Sequence, residues 1–518
     1  MSEAEAFLAE SEAFRLGDLP TEAQHPKTLT LSHLARHDVP AAVRLLQDVD
    51  VDALARMPAH APRIEQLRAA VSATLLSEGR VFLCGCGATG RLSIALEVLW
   101  RQSGQSLSLS DSVVAFMAGG DLALVHSIEN FEDHPEYGAR QLMELGFAEN
   151  DLLVACTEGG ETPFVIGATM QATQVSRRAP WFLYCNPDES LTFLERSREV
   201  IESPGIEKLS LFVGPMALSG STRMQASTVL QLAVGLALLE HASAVPVHDE
   251  LVAFTQIVKT ADLSFLAPFI EAESAVYAAG GFVLYEAEGY GITVVTDTTE
   301  RSPTFSLLAF ENVHDPLRAP ALCYAHLRGT RDACEAWHRL LLREPRTLEW
   351  DGVQAVAGRH RLLGFDFSAT GTAARGGRIA ALGERARRSP TQAVLAVSKP
   401  GQSVEMTFDG GGDVLHGRLA VAALPLLFEH LLLKIALNIH STLVMGRLGR
   451  YEHNLMTYVR PSNKKLVDRA IRYVTHLLRA DGRAVSYPEV AHAVFAEMAL
   501  LAADEPIVLR VFERMRQA

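Results

Sequence analysis

The 518-residue chain sets 47 Lys and Arg against 61 Asp and Glu, a formal net charge of −14. Such a surface repels phosphodiester backbones, which excludes nucleic acid as a partner; a bound phosphate needs a local site working against the global field. The 48% hydrophobic content is ample for the cores of several domains.

The start, "MSEAEAFLAE", is acidic and lacks the basic, apolar and cleavage regions of a signal peptide. Residues 1–78 read as helices with turns, among them "PAAVRLLQDVDVDALARM" and "APRIEQLRAAVSATLL". From Val81 short apolar runs alternate with helical segments: "RVFLCGCG", "SVVAFMAGG", "DLLVACTEGG", "WFLYCNP" and "LSLFVGP". That alternation predicts an α/β unit over 79–250, a doubly wound parallel sheet with helices on both faces. Ligands of such sheets gather beyond the carboxyl ends of the strands. A buried helix from Ser221, "STRMQASTVLQLAVGLALLEHA", closes the unit.

A second strand–helix series over 251–445 begins at "GGFVLYEAEGYG" and continues through "APALCYAHL", "HRLLGFDFS", "QAVLAVS" and "SVEMTFDGGG". It ends in "LAVAALPLLFEHLLLKIALNI", where Pro425, Glu429, His430 and Lys434 favour a buried helix over a membrane span. Residues 446–518 form a helical cap, with Ser462 and Asn463 as capping candidates for "KKLVDRAIRYVTHLL". Cys84, Cys86, Cys156, Cys185, Cys323 and Cys334 show no zinc or disulfide spacing, so no metal or cofactor is expected and a reducing cytoplasm fits.

The two units align at an offset of 201 residues, "VFLCGCGATGR" on "FVLYEAEGYGI". Gly90 then meets Gly291, whereas Gly85 and Gly87 meet Glu286 and Glu288, and Thr89 meets Tyr290. Bare backbone welcomes an anion and two carboxylates repel it, so only the first loop is a cradle. Taken alone, "GCGATGR" fits a phosphate ester, a dinucleotide or a tight structural turn. A second loop, "ACTEGGETPFV", offers Thr157, Gly159, Gly160 and Thr162 just before a helix opened by Pro163. Glu158 and Glu161 are odd neighbours for a phosphate; they point away or serve the sugar.

"GCGATGR", "MAGGDLALVHSIENFEDH", "TEGGETPFVIGA", "CNPD", "VGPMALSGSTRMQAS" and "RPSNKKLVDRA" occur in this order. Together they resemble the sugar isomerase (SIS) domain proteins of the N-acetylmuramic acid 6-phosphate etherase and glucokinase regulatory protein group. The resemblance implies two three-layer αβα domains and a hexose 6-phosphate ligand. It assigns Gly87, Ala88 and Thr89, with Thr157, Glu158, Gly159 and Thr162, to the phosphate loops. Arg223 matches a residue near the sugar phosphate, and Lys465 a lysine that reaches the ligand. Glu132 matches the family's sugar-contacting acid, catalytic in the etherases. The etherases carry another glutamate nine residues after the first loop's last glycine. Here that position is Leu99 in the first half and Glu300 in the second. One half keeps the cradle and the other the acid, so a single composite site is expected with Glu132 and Glu300 as its catalytic pair.

Three functions share such a site. In an etherase-like carbon–oxygen lyase, one carboxylate removes the C2 proton of the open-chain sugar and the other protonates the departing C3 ether oxygen. In an aldose–ketose isomerase a carboxylate moves a proton between C1 and C2. In a non-catalytic regulator responsive to fructose 6-phosphate both acids only hold hydroxyls, and a sugar kinase is the partner.

Overall fold

A computed structural model of the chain describes residues 2–11, 16–104, 107–128, 131–315, 319–386, 392–461, 464–501 and 505–517. The capping candidates Ser462 and Asn463 lie outside them. The first sheet comprises β1 (Val81–Gly85), β2 (Val113–Met117), β3 (Leu152–Cys156), β4 (Trp181–Tyr184) and β5 (Glu207–Ser210) in the order β2-β1-β3-β4-β5. Every pairing is parallel. All residues of β1 to β4 are buried. Helices cover both faces, which is why these strands are unbroken apolar runs in the sequence.

The second sheet has the order β10-β9-β8-β6-β7. Its strands are β6 (Phe282–Ala287), β7 (Cys323–Leu327), β8 (Gln392–Ser398), β9 (Ser403–Asp409) and β10 (Leu415–Ala420). The β7-β6-β8 centre is parallel and repeats β2-β1-β3, but β8, β9 and β10 run antiparallel. The doubly wound expectation therefore holds for only part of this unit. The reason is legible in "SVEMTFD": Val404, Met406 and Phe408 are buried while Glu405 and Asp409 are exposed, the alternation of a one-sided antiparallel strand. "HRLLGFDFS" is not a strand. Helix Arg359–Leu363 ends at Gly364, and the Trp337 indole N–H caps the carbonyls of Leu362 and Phe365.

The Leu426–Arg447 helix is long and apolar enough to cross a membrane, yet its most apolar window is wholly buried within the protein. Against it lies the Gly291–Phe305 helix, which also meets the Ala88–Gln102 helix that follows β1. Across the same junction Arg343 Nε pairs with Glu97 at 3.0 Å and its Nη1 with Asp121 at 2.5 Å. These contacts tie the segment after the Ala333–Leu341 helix to the Ala88–Gln102 helix and the turn at Asp121.

Glycines set a second close approach. A Cβ on Gly138 would stand 1.9 Å from the Phe164 carbonyl oxygen, and one on Gly167 1.9 Å from that of Pro135. The Pro135–Glu144 and Pro163–Val175 helices thus cross backbone to backbone. Gly167→Ala is expected to destabilise the fold by ~1–3 kcal/mol, measured by chemical denaturation, because neither helix can yield locally.

Candidate functional site

Beyond the carboxyl ends of the first sheet lies a cavity of about 660 Å³. Its floor is built by the loops after β1 and β3 and by the segment leading into the Gln225–Leu239 helix. The end of the Gly291–Phe305 helix forms one wall and the Lys464–Ala480 helix another.

The loop after β1 closes tightly. A Cβ on Gly85 would collide with the Thr89 carbonyl carbon at 2.3 Å, and Gly87 takes φ +55° where a side chain would be strained. Gly87 and Ala88 line the cavity at a helix N-terminus. Thr89, assigned to the phosphate loop, turns its hydroxyl to its own turn. Its Oγ1 accepts from the Cys86 N–H and donates to the Cys86 carbonyl, both at 2.9 Å, and the residue is not part of the cavity wall. A buried hydroxyl takes the nearest unpaired backbone groups, here those of its own turn.

In the loop after β3, Glu158, Gly159, Glu161 and Thr162 line the cavity. Thr157, also expected at the ligand, braces the loop from behind. Its hydroxyl meets that of Thr162 at 3.0 Å and accepts from Gly160 N–H at 3.3 Å. Glu161 does not point away: its carboxylate takes Lys465 Nζ at 2.6 Å and Arg196 Nη2 at 2.8 Å. Burial opposes its charge, but these two cations hold the carboxyl down at about 2.

Glu158 is different. Its Oε1 is buried without a hydrogen-bond partner, and burial pushes the carboxyl from 4.5 up to about 8. The folded state therefore retains a proton that the unfolded chain releases near 4.5, and stability falls as pH rises from there to about 8. Glu158→Gln should flatten that slope and melt above the unaltered protein at pH 8, as read by differential scanning fluorimetry across the window.

"GSTRM" belongs to a turn, and the helix begins only at Gln225. Ser221, Thr222 and Arg223 thereby reach the cavity wall. Ser221 Oγ is buried with no partner. Arg223, expected near the phosphate, commits its terminal nitrogens elsewhere. Nη1 meets Asp297 at 3.2 Å and Nη2 meets Thr442 at 2.9 Å, which leaves only the unpartnered Nε.

Glu132 and Glu300 line the same cavity, one from each unit. The Cys86 thiol donates to Glu132 Oε2 at 3.7 Å. Burial raises the Glu132 carboxyl, with the Lys465 charge pulling the other way. Glu300 is 3% exposed and neither oxygen has a hydrogen-bond partner. Burial raises it too, against the charges of Arg91, Arg223 and Lys434. Leu99, its counterpart in the first unit, is core.

Arg91, Ser221, Thr222, Glu22 and Arg469 also line the cavity, beyond the residues expected from the sequence. Arg91 lies in "GCGATGR" and the Ser221–Thr222 pair in "GSTRM", motifs legible in the sequence. Glu22 lies in no such motif: it arrives from the N-terminal segment, held by Arg469 at 2.6 Å and Arg472 at 3.2 Å.

Three etherases give the decisive comparison. The N-acetylmuramic acid 6-phosphate etherases of Erwinia tasmaniensis and Salmonella agona are each 31% identical over 222 residues, 43% of this chain and 67% and 69% of theirs. That of Rhodopirellula baltica is 30% identical over 222 residues, covering 68% of its length. The chain belongs to this family of SIS-domain proteins. The family model described as the glucokinase regulatory protein N-terminal SIS domain matches residues 63–173, which hold both glycine-rich loops and Glu132. More than half of the chain lies outside the etherase match. Among solved structures, a Silicibacter pomeroyi protein assigned as a phosphosugar isomerase covers 79% of this chain and 98% of its own at 13% identity, TM-score 0.41. The C-terminal domain of a Francisella tularensis glucosamine-fructose-6-phosphate aminotransferase covers 78% and 96% at 10% identity, TM-score 0.39. At such scores neither bears on function.

Proposed function

We propose that the cavity takes a hexose 6-phosphate in its open-chain form and acts as an etherase-like carbon–oxygen lyase. The observation that carries this reading is that Glu132 and Glu300, from different units, line the same cavity. In an open-chain sugar the C2 proton lies beside the carbonyl and is the acidic one. One carboxylate removes it, the other gives its proton to the C3 ether oxygen, the C3–O bond breaks, and water then adds at C3. Burial raises both carboxyls, so protonated and ionised forms lie closer in energy than in water. Gly87 and Ala88 offer backbone at a helix start, and Ser221 an unpartnered hydroxyl, to the phosphate and sugar. Incubation with N-acetylmuramic acid 6-phosphate, with lactate release followed, tests the reading.

The match of 63–173 to the regulatory protein's domain favours a second reading, a non-catalytic sensor whose occupancy alters its affinity for a sugar kinase. In that case fructose 6-phosphate binds and no turnover of either sugar is observed.

A further inference from the structure

Several cations of this wall are already committed: Arg469 to Glu22 at 2.6 Å, Arg223 to Asp297 at 3.2 Å, and Arg91 through its Nε to the Leu124 carbonyl at 3.1 Å. Lys465 also lines the wall, and its ammonium rests on Glu161 Oε1 at 2.6 Å. The other oxygen of Glu161 takes Arg196 Nη2 at 2.8 Å, while Arg196 Nε holds the backbone carbonyl of Glu161 at the same distance. Glu161 is 4% exposed, in the loop that lines the cavity. Its side chain lies over Gly159, where a Cβ would approach Glu161 Cγ to 3.3 Å and Oε1 to 3.6 Å. The missing side chain at 159 is what gives the carboxylate its place.

We propose that Glu161 is an internal anion that competes with the ligand's phosphate for Lys465, and that this competition sets the site's selectivity between phosphorylated and neutral sugars. The inference rests on the reading of the cavity as a sugar-phosphate site. An arriving phosphate dianion and the Glu161 carboxylate cannot both be neutralised by one ammonium. Exchange is feasible because Glu161 keeps a second cation: when Lys465 turns to the ligand, Arg196 still holds the carboxylate at its own backbone. No bare charge is left buried, which is the usual obstacle to breaking a buried pair. A neutral sugar has no claim on Lys465 and leaves the pair closed.

Glu161→Gln keeps the shape and the Arg196 contact while removing the charge, and Glu161→Ser removes the group altogether. Isothermal titration calorimetry with fructose 6-phosphate, inorganic phosphate and neutral fructose, on the full chain, reads the competition. Both variants are expected to bind the two phosphates about tenfold tighter or better, with fructose unchanged. The ligand-free variants should melt lower, since a carboxyl lowered from 4.5 to about 2 adds stability throughout the neutral range, lost as pH falls from 4.5 to about 2. If the Gln variant does not fold, the Ser variant carries the same comparison. Unchanged or weaker phosphate affinity in a folded variant overturns the proposal and leaves Glu161 as a counter-ion that orients Lys465. Absence of phosphate binding by the unaltered protein and both variants overturns the sugar-phosphate reading, and the competition with it.

Discussion

Glu132→Gln and Glu300→Gln are each expected to lower lactate release from N-acetylmuramic acid 6-phosphate by ~10²–10⁴-fold while ligand binding survives. Glutamine keeps the size and part of the hydrogen bonding of each side chain but cannot carry the proton. For Glu300 the change is also benign to the fold. Its oxygens are buried without hydrogen-bond partners, and burial already disfavours its charge. The folded state holds that proton above the usual carboxyl range, so the unaltered protein loses stability as pH rises through it, and Glu300→Gln removes this loss. Equal or higher melting temperature together with collapsed turnover separates lost chemistry from lost structure. In the sensor reading there is no turnover to lose, and each change weakens fructose 6-phosphate binding by at most roughly 1–3 kcal/mol. Full activity in either variant removes that residue from the mechanism.

Replacing Asp297 should cost the fold most. Its Oδ1 accepts from Arg223 Nη1 at 3.2 Å, Asn438 Nδ2 at 2.9 Å and Ser441 Oγ at 2.9 Å. Its Oδ2 accepts from Arg301 Nη2 at 2.9 Å and Nε at 3.2 Å. Burial alone would raise this carboxyl, but the Arg301 and Arg223 guanidiniums win and hold it below its usual range. Asp297→Leu leaves both arginines short of charge in the interior, and a loss of ~3–5 kcal/mol is expected from the midpoint of urea unfolding. Arg301 keeps Glu273 at 3.0 Å, so the larger disturbance falls on Arg223 and through it on the cavity wall. A loss below about 1 kcal/mol would mean that water enters and solvates the arginines.

The sequence by itself determined the strand–helix series of the first unit, because strands buried on both faces must be continuous apolar runs. It also determined where glycine replaces side chains in "GCGATGR", and that the position holding Leu99 in the first half holds Glu300 in the second. It even contained the antiparallel edge, in the alternation of "SVEMTFD". What only the tertiary structure decided is the direction of each side chain and the company it keeps. Thr89 and Thr157 satisfy their own turns instead of the cavity, since a buried hydroxyl bonds whatever backbone lies nearest once the loop closes. Arg223 turns to Asp297, 74 positions away, and Lys465 to Glu161, 304 positions away. Ion pairs of that span follow from the packing of whole helices, and no local pattern encodes them. The raised Glu158 and Glu300 carboxyls have the same origin, for burial is a property of the assembled wall and not of the residue.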